Sequence, residues 1–202
     1  MTPDAVFHAI FIVGLCYYLF GVYGPSVRRY RTFRLAQAAS RPMDLLLDFA
    51  TFLTWQVFPL VHILTAWLDS ADYNLSPWLG ALGVALFASA IFVLRQAYAD
   101  LGANWSPKID VLQEQELVTH GVYGSVRHPI YVGMWLWVVA QPLLIHNWIA
   151  GLGFLATFLP LYLLRVPREE QTLMREFGRA YLDYMAKTPR LFPRLRRRDR
   201  PS

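Results

Sequence analysis

The groups best suited to chemistry lie between Glu116 and Gly133, in a stretch that reads ELVTHGVYGSVRHPIYVG. An Arg-His-Pro-X-Tyr run at residues 127–131 closes this polar stretch and opens the next apolar block. Ionisable groups at the mouth of a membrane span are costly, so they are candidates for function. We therefore look for a site where a polar loop meets a membrane helix.

A second set of ionisable residues follows the last apolar block of the chain. If the last two apolar blocks form a hairpin, their polar ends are neighbours. Each residue alone has an ordinary interpretation, such as an interfacial anchor or the acidic first turn of a helix. Together they predict a site that binds a polar cofactor from the cytoplasm and an amphipathic substrate from the bilayer. The residues that converge are Arg127, His128 and Tyr131 with Arg165, Arg168, Glu169 and Glu170.

The composition indicates a membrane protein. Apolar residues make up 55% of the 202 residues and charged residues 16%, whereas a typical soluble domain has about 25% charged residues. Five apolar runs are each long enough to cross a hydrocarbon core of ~30 Å as a helix. We predict an all-α fold with transmembrane helices at 5–23, 45–68, 78–94, 130–145 and 148–164. The last two are joined by a turn at His146 and Asn147, and an amphipathic cytoplasmic helix follows at 165–187.

The positive charges predict how these spans are oriented. All Lys and Arg residues fall on one side of the predicted topology, and the other side carries Asp4, Asp69 and Asp72. The positive-inside rule then places the N-terminus outside and the C-terminus in the cytoplasm. The first span has neither the basic n-region nor the clear cleavage site of a signal peptide. The net charge of +5 is accounted for by this topology, so we expect no nucleic-acid partner.

The chain divides into three regions by composition. Residues 1–98 form a three-span membrane region, residues 99–193 hold the polar loop, the hairpin and the last helix, and residues 194–202 are a basic tail. Small residues at 80, 81, 84, 85, 88 and 89 predict a close-packing face on the third span. Pro59, Pro142 and Pro160 are expected to kink their spans. Cys16 lies within a span, and no Cys/His cluster predicts a metal site.

Two segments carry a resemblance to a known family. The run LVTHGVYGSVRHPIYVG, followed after the hairpin by RVPREEQTLMREFGRAYLDYMAKTPRLFP, resembles the isoprenylcysteine carboxyl methyltransferase family over residues 108–193. Phospholipid methyltransferases share the C-terminal pattern, and sterol reductases have a related architecture. The resemblance implies an integral membrane enzyme that uses S-adenosylmethionine to methylate a lipid-like or prenylated substrate.

The resemblance also implies roles for individual residues. The backbone at Gln115, Glu116, Leu117 and Val118 would hold the adenosine part of the cofactor, and Arg165 would face the substrate carboxylate. Pro167 departs from the family pattern and is expected to interrupt the helix before the Glu pair. The resemblance leaves open whether Glu169 or Glu170 is the functional carboxylate. The other residues expected to line the cofactor pocket are Tyr123, His128, Pro129, Ile130, Tyr131 and Glu169.

The residues also suit the expected chemistry. Methyl transfer to a carboxylate needs no general base at neutral pH, so the protein must mainly align donor and acceptor, and an arginine can hold the carboxylate by a paired contact. Methylation of a phospholipid amine would need a base such as His128. A nicotinamide-dependent membrane reductase and a membrane protein without enzymatic activity are the remaining alternatives.

Overall fold

The computed structural model describes residues 2–30, 42–106 and 116–193. Within these ranges the chain is helical, and the only β-type pairing is an isolated bridge between Asp72 and Asn147. Short 3-10 turns occur at Asp69–Ala71, Gly102–Asn104 and Gly121–Gly124. The helices are α1 (Pro3–Tyr30), α2 (Pro42–Leu64), α3 (Pro77–Leu101), α4 (Pro129–Leu144), α5 (Gly153–Phe177) and α6 (Arg179–Lys187).

Proline and glycine set many of the helix boundaries. The first four helices each open on a proline, where the missing N–H would have no partner in the helix anyway. Helix α1 is also capped by Thr2, whose Oγ1 accepts from the Ala5 N–H. Helices α3 and α5 end at Gly102 (φ 55°) and Gly178 (φ 51°), which take the left-handed conformation that glycine adopts at little cost. Gly178 therefore divides the helix predicted over 165–187 between α5 and α6.

Three of the helices are long and apolar enough to cross a membrane: α1, α2 and the stretch Pro77–Asn104 that contains α3. Helix α4 is apolar but has 16 residues. Helix α5 is apolar only up to Arg165. The prediction of a helical multi-span protein is confirmed, and the count of five spans stays a prediction. Trp148, predicted as the first residue of the fifth span, lies in the turn before α5.

Helix α5 continues through Pro160 and Pro167 without interruption, so the expected break before the Glu pair is wrong. Helix α4 likewise contains Pro142. Membrane helices tolerate proline because local adjustment and neighbouring groups satisfy the freed carbonyls. The backbone does widen elsewhere: α1 and α2 contain π-helical segments at Tyr18–Tyr23 and Leu53–Val57, the second just before Pro59.

A seam of small and apolar residues joins α3 to α4. A Cβ added to Gly83 would lie 2.8 Å from the Leu143 side chain, and one added to Gly133 would lie 2.6 Å from Leu94. The two backbones therefore approach as closely as glycine allows. The buried positions of α3 follow the alternating three- and four-residue spacing of helix seams. They are Gly80, Gly83, Phe87, Ala90, Leu94, Ala97 and Tyr98.

This seam differs from the predicted packing face of the third span. Of the residues predicted there, only Gly80 is buried, and Ala81, Ala85, Ala88 and Ser89 are exposed. The prediction was wrong because it selected residues by small size, whereas the burial follows helical periodicity. The exposed small residues lie on the surface that α3 presents outward.

Trp137 lies at the centre of the bundle and is fully buried. Its ring contacts Phe87 at a centroid distance of 4.6 Å, and Tyr18 and Trp55 at 5.3 Å each. Phe11 lies 6.2 Å away. Edge-to-face aromatic pairs add about 0.5–1.5 kcal/mol beyond area burial. The Trp137 side chain of α4 thus packs against α1, α2 and α3.

The turn between α4 and α5 is held by Asn147, as the sequence predicted for this hairpin. Its Nδ2 donates to the Leu68 carbonyl at 2.6 Å and to Asp72 Oδ1 at 2.7 Å. Its Oδ1 accepts from the backbone N–H groups of Ile149 and Ala150. The amide is buried, and these bonds fix the loop 65–76 against the hairpin.

Candidate active site

A cavity of about 620 Å³ lies at the end of the bundle where the polar loop and the C-terminal segment meet. Its walls come from α1 to α6 and from the loops 102–106 and 116–128. Both predicted regions, 1–98 and 99–193, therefore contribute to it. Its lining combines aromatic and aliphatic side chains with a few charged ones: Asp48, Glu116, Arg127, Arg165 and Glu169.

Nearly all of the predicted site residues face this cavity. Pro129 does not line it, but lies buried at the first position of α4. Gln115 falls outside the described residues. The predicted residues that line the cavity are Glu116, Leu117, Val118, Tyr123, His128, Ile130, Tyr131, Arg165 and Glu169.

The polar loop is held by side chains from the end of α3 and from the 3-10 turn that follows it. The Glu116 N–H donates to Asn104 Oδ1 at 2.8 Å, and the Val122 N–H donates to Asp100 Oδ2 at 2.8 Å. Gly121 has φ 57°, and a Cβ there would lie 2.0 Å from the Asp100 carboxylate. Glycine is therefore required at this contact. Two 3-10 turns, Gly102–Asn104 and Gly121–Gly124, lie in this connection between α3 and α4.

Glu170 is the centre of a buried ionic cluster beside the cavity. It accepts from Arg127 Nη2 at 2.8 Å, and it pairs with His128 Nε2 at 3.1 Å and with Arg190. Its side chain is 5% exposed. Burial alone would raise the pKa of this carboxyl group, but the hydrogen bonds from His128, Arg190 and Arg127 outweigh it and hold the pKa well below its usual range. Glu170 is thus a permanently charged acceptor.

Glu169 has different surroundings, because it lines the cavity. Its Oε1 accepts from the Tyr131 hydroxyl at 2.7 Å and from Arg165 Nε at 3.0 Å. Arg165 in turn donates from Nη1 to Asp48 Oδ1 at 2.9 Å. The four side chains form a chain of charge-assisted hydrogen bonds along the cavity wall. The neighbouring glutamates therefore differ: one carboxylate is enclosed by cations, and the other faces the space where a ligand would bind.

The C-terminal segment closes the cavity through backbone contacts. The Arg127 N–H donates to the Pro189 carbonyl at 2.8 Å, and the His128 N–H donates to the Arg190 carbonyl at 3.1 Å. Tyr184 donates to the Tyr123 carbonyl at 2.6 Å. Burial raises the pKa of Tyr184 to about 12, so its hydroxyl stays protonated and keeps donating. The Arg-His pair is thus fixed by its backbone as well as by Glu170.

Two residues of the site were not predicted from the sequence. Asp48 completes the Arg165 contact from α2, and Arg190 completes the Glu170 cluster. A signal for Asp48 was present: Asp44 and Asp48 stand four residues apart at the start of an apolar run, and Asp44 pairs with Arg168 at 2.6 Å. The argument that singled out Arg127, a charge at the mouth of a span, applies to both aspartates. Arg190 had no comparable local signal.

Both π-helical segments face the cavity, through Tyr18, Leu19 and Tyr23 in α1 and through Trp55 and Gln56 in α2. Such segments often occur at functional sites because they redirect side chains. On the α2 wall, Thr51 Oγ1 and Trp55 Nε1 are buried and make no hydrogen bond within the described part of the chain. Buried polar atoms usually have partners, so this wall suits a ligand that carries polar groups among apolar ones.

Comparison with known proteins connects this geometry to a family. The sequence model of the isoprenylcysteine carboxyl methyltransferase (ICMT) family matches residues 81–175. This range covers most of α3, the polar loop, α4 and most of α5, and it includes both glutamates and Arg165. The family resemblance inferred from the sequence is confirmed.

Individual relatives agree. The chain is 27% identical over 184 residues to a protein-S-isoprenylcysteine O-methyltransferase of Dictyostelium discoideum, covering 87% of this chain and 72% of the relative. It is 29% identical to the enzyme of that name from Mus musculus, over 79% of this chain and 59% of the relative. The chain thus spans less than two thirds of the mouse protein. It is 32% identical to the Schizosaccharomyces pombe enzyme, over 55% of this chain and 45% of that protein.

A solved structure shows the same fold. The chain superimposes on the structure of the eukaryotic intramembrane Ras methyltransferase ICMT with a TM-score of 0.50 and 24% sequence identity. The superposition covers 77% of this chain and 54% of that protein. The similarity supports a shared helical fold.

Proposed function

We propose that this relative of the isoprenylcysteine carboxyl methyltransferases is a membrane methyltransferase that methylates the carboxylate of an isoprenylcysteine-type substrate. The observation that carries the proposal is the placement of Arg165. Its guanidinium lines an otherwise largely apolar cavity beside Glu169 and Tyr131. A cation in such surroundings is suited to an acceptor with an anionic head and a lipid tail.

S-adenosylmethionine is the proposed methyl donor, and when bound it supplies a methyl group on a positively charged sulfonium. The donor set fits this group. Residues 116–119 are non-helical chain, and such backbone can offer N–H and C=O groups to an adenine ring. Glu116 and Glu169 are carboxylates in the cavity wall that attract a cation. We assign the remaining cofactor contacts to Tyr123, His128, Ile130 and Tyr131, and Gln115 and Pro129 would support the same pocket.

The chain's own residues would mainly align and desolvate the reactants. Tyr131 and Arg165 together fix Glu169 in one orientation, and the buried Glu170 cluster fixes Arg127 and His128. Such prior ordering is what a displacement without proton transfer requires. No residue needs to accept a proton, since a carboxylate acceptor is already ionised at neutral pH. Of the two glutamates, we assign the ligand-binding role to Glu169.

The substrate carboxylate would take its place at Arg165 in competition with Asp48. Asp48 is 46% exposed at its side chain and lies at the rim, whereas Glu169 is 22% exposed. The more exposed partner is the one that an incoming carboxylate can displace at lower cost. The apolar wall formed by Phe52, Trp55, Met134 and Leu161 would accommodate the part of a prenyl chain nearest the cysteine.

We further propose five spans, with the N-terminus outside and the C-terminus in the cytoplasm. Helix α4 and the apolar part of α5 form the hairpin, and their ends carry Arg127 and Arg165. The exposed Trp67, Trp78 and Trp148 lie at the opposite end of the helices, as indoles do at an interface. The basic tail at 194–202, which lies outside the described residues, would contact anionic lipid headgroups. Labelling of single cysteines at each terminus tests this topology, and both ends on one side would contradict it.

The deciding experiment measures binding and turnover on the purified full chain in detergent. Calorimetry should detect S-adenosylmethionine and its demethylated product but not NADPH. Radiolabelled cofactor should then label farnesylcysteine, and the methyl ester of farnesylcysteine should remain unlabelled. Tight binding of NADPH alone would favour a reductase, and binding of neither cofactor would favour a protein without enzymatic activity.

The carboxylates beside Arg165 are also compatible with an amine acceptor, so the assay includes one. Asp48 and Glu169 place two carboxylates beside Arg165, and carboxylates attract a protonated amine. An amine acceptor must lose its proton before it is methylated, which requires a base such as His128. Phosphatidylethanolamine and a fatty-acyl carboxylate therefore run in parallel with farnesylcysteine. Label in the phosphatidylethanolamine alone would establish phospholipid N-methylation instead.

A further inference from the structure

At the end of the bundle opposite the cavity, three side chains from α2 and the loop after it converge. His62 lies in the last turn of α2, and Asp69 and Asp72 lie in the loop 65–76. His62 Nδ1 is 3.6 Å from Asp72 Oδ1 and 3.9 Å from Asp69 Oδ1. The three ligand atoms lie within 4.8 Å of one another. This arrangement has no part in the proposed methyl transfer.

The His62 ring is the unusual member of this group. The residue is 8% exposed, and its Nδ1 is buried without a hydrogen-bond partner within the described part of the chain. Each ring nitrogen of a histidine normally donates or accepts a hydrogen bond. Here the nitrogen points instead at two carboxylates that are too distant for a hydrogen bond and close enough to share a cation.

We propose that His62, Asp69 and Asp72 bind a divalent cation of the zinc class at the outer end of the bundle. Tetrahedral zinc with bonds of about 2.1 Å places its ligand atoms about 3.4 Å apart. The observed distances to His62 exceed this by a few tenths of an ångström. Asp72 Oδ1, at 3.6 Å, is already close to this separation, and the Asp69 side chain is 56% exposed, so its carboxylate can rotate inward to close the larger gap.

The ligand types select among the cations. One imidazole with two carboxylates suits zinc and its neighbours, whereas calcium and magnesium prefer sites made of oxygen alone. A neutral imidazole, two carboxylates and a divalent cation also cancel in charge, which a partly buried site requires. Three protein ligands leave a fourth position for water.

The bound cation would stabilise the outer end. Asp72 already accepts from Asn147, the residue that holds the α4–α5 turn. A cation on Asp72, Asp69 and His62 would therefore connect α2, the loop 65–76 and the hairpin. The sequence predicted no metal because the ligands include a single histidine, and no local spacing marks them.

The test uses the full chain without a histidine tag, stripped with a chelator and then dialysed against zinc. The wild type should bind one zinc ion per chain with micromolar affinity, and zinc should raise its melting temperature because the cation binds the folded state. Asp69→Asn and His62→Gln should each weaken this binding at least tenfold and abolish the shift. Asp69 is the main test, since its exposure makes a folding defect unexpected.

His120→Gln is the matched control, because His120 is an exposed histidine in the loop at the other end. It should bind zinc as the wild type does, and calcium should bind to none of the variants. Equal zinc binding by His62→Gln, Asp69→Asn and wild type would overturn the proposal by placing the zinc elsewhere. Failure of the wild type to bind zinc at 100 micromolar (about 0.1 mM, a weak-affinity limit) would also overturn it.

Discussion

The carboxylates at the two ends of the bundle pair with different basic residues. At the cavity end, Asp44, Asp48, Glu169 and Glu170 each pair with an arginine. At the outer end, the ion pairs of Asp4, Asp69 and Asp72 in the described residues are all with histidines. Arginine stays charged at any physiological pH, whereas histidine does not. We call the cavity end the fixed end, because each of its carboxylates pairs with a charge that is permanent at physiological pH, although His128 also contacts Glu170. The carboxylates of the outer end have no such partner in the described residues.

We expect the largest effect on stability from neutralising Glu170, the most buried carboxylate of the fixed end. Glu170→Gln removes the charge that Arg127, His128 and Arg190 share and leaves the two arginines without an anion. Removing one partner of a buried ion pair costs about 3–5 kcal/mol. The free energy of unfolding in detergent, measured by denaturant titration, should fall by that amount. Glu176→Gln, at an exposed position in the same helix, should change it by less than about 0.5 kcal/mol.

The next effect should appear in turnover and not in folding. Arg165→Ala removes the proposed contact to the substrate carboxylate, and misalignment of a reactant costs about 100-fold or more. S-adenosylmethionine affinity should stay within about threefold of the wild type, because the Tyr131 hydroxyl still holds Glu169 when Arg165 is removed. Arg165→Lys should give an intermediate rate, since lysine keeps the charge but loses the planar fork. A parallel loss of cofactor affinity in Arg165→Ala would show that our division of roles is wrong.

Substitutions at Glu169 and His128, which also line the cavity, should change the affinity for the cofactor. We expect Glu169→Gln and His128→Ala to weaken S-adenosylmethionine binding about tenfold, which corresponds to ~1.4 kcal/mol of lost contact. Titration calorimetry measures this directly. His128→Ala should also lower stability, because His128 contacts Glu170 as well. A Glu169→Gln variant that binds the cofactor normally and fails only with the acceptor would move Glu169 to the substrate side.

A smaller change should come from Asp48, the rim partner of Arg165. If a substrate carboxylate must displace Asp48, then Asp48→Asn should lower KM for farnesylcysteine by about 2–5-fold, the range expected for an exposed pair worth ~0.5–1 kcal/mol. The value of kcat should change little. Asp44→Asn, which breaks the neighbouring pair with Arg168, is the matched control and should leave KM unchanged. A higher KM in Asp48→Asn would mean that Asp48 orients Arg165 instead of competing for it.

The smallest effect should be an acid dependence of stability at the fixed end. The pKa of Glu170 is lower in the folded protein than its ordinary value of 4.5. The folded state therefore binds protons less readily than the unfolded state, and stability is lost as pH falls below this ordinary value. Above it the contribution is complete. Comparing unfolding at pH 6 and pH 4, wild type should lose stability, and Glu170→Gln should lose less.

The sequence predicted the local features of this molecule well. The hairpin turn at Asn147, the apolar helices and the meeting of residues 127–131 with 165–170 follow from patterns within one or two segments. Helix α3 shows the limit: it was predicted over 78–94 but runs to Leu101. Residues 95–100 are polar in part, so the apolar run ends at residue 94 although the helix continues. Hydropathy predicts which part of a helix lies in lipid, whereas the helix itself ends at Gly102.

The contacts that the sequence could not predict depend on how distant helices pack. Asp48 meets Arg165 because α2 packs against α5, and no spacing in the chain encodes that pairing. The same holds for Arg190 at Glu170 and for His62 at Asp69 and Asp72. In each case the residue types were visible, but their neighbours depend on tertiary structure. The assignment of Glu169 and Glu170 to different surroundings likewise required the orientation of α5, because adjacent helical residues point in different directions.

The glycine seam between α3 and α4 also has a consequence for the order of folding. These helices are consecutive in the chain, and their contact closes the loop 102–128. This costs less loop-closure entropy than the contact between Asp48 and Arg165, which lie 117 residues apart. We expect this pair to form before α2 meets α5, whose partners are more than 100 residues apart. Asp100 and Asn104 would then already be in position to bind the loop 116–128. The loop 116–128 would thus fold onto a pair of helices, α3 and α4, that is already formed. Gly83→Ala or Gly133→Ala should therefore slow refolding as well as lower stability.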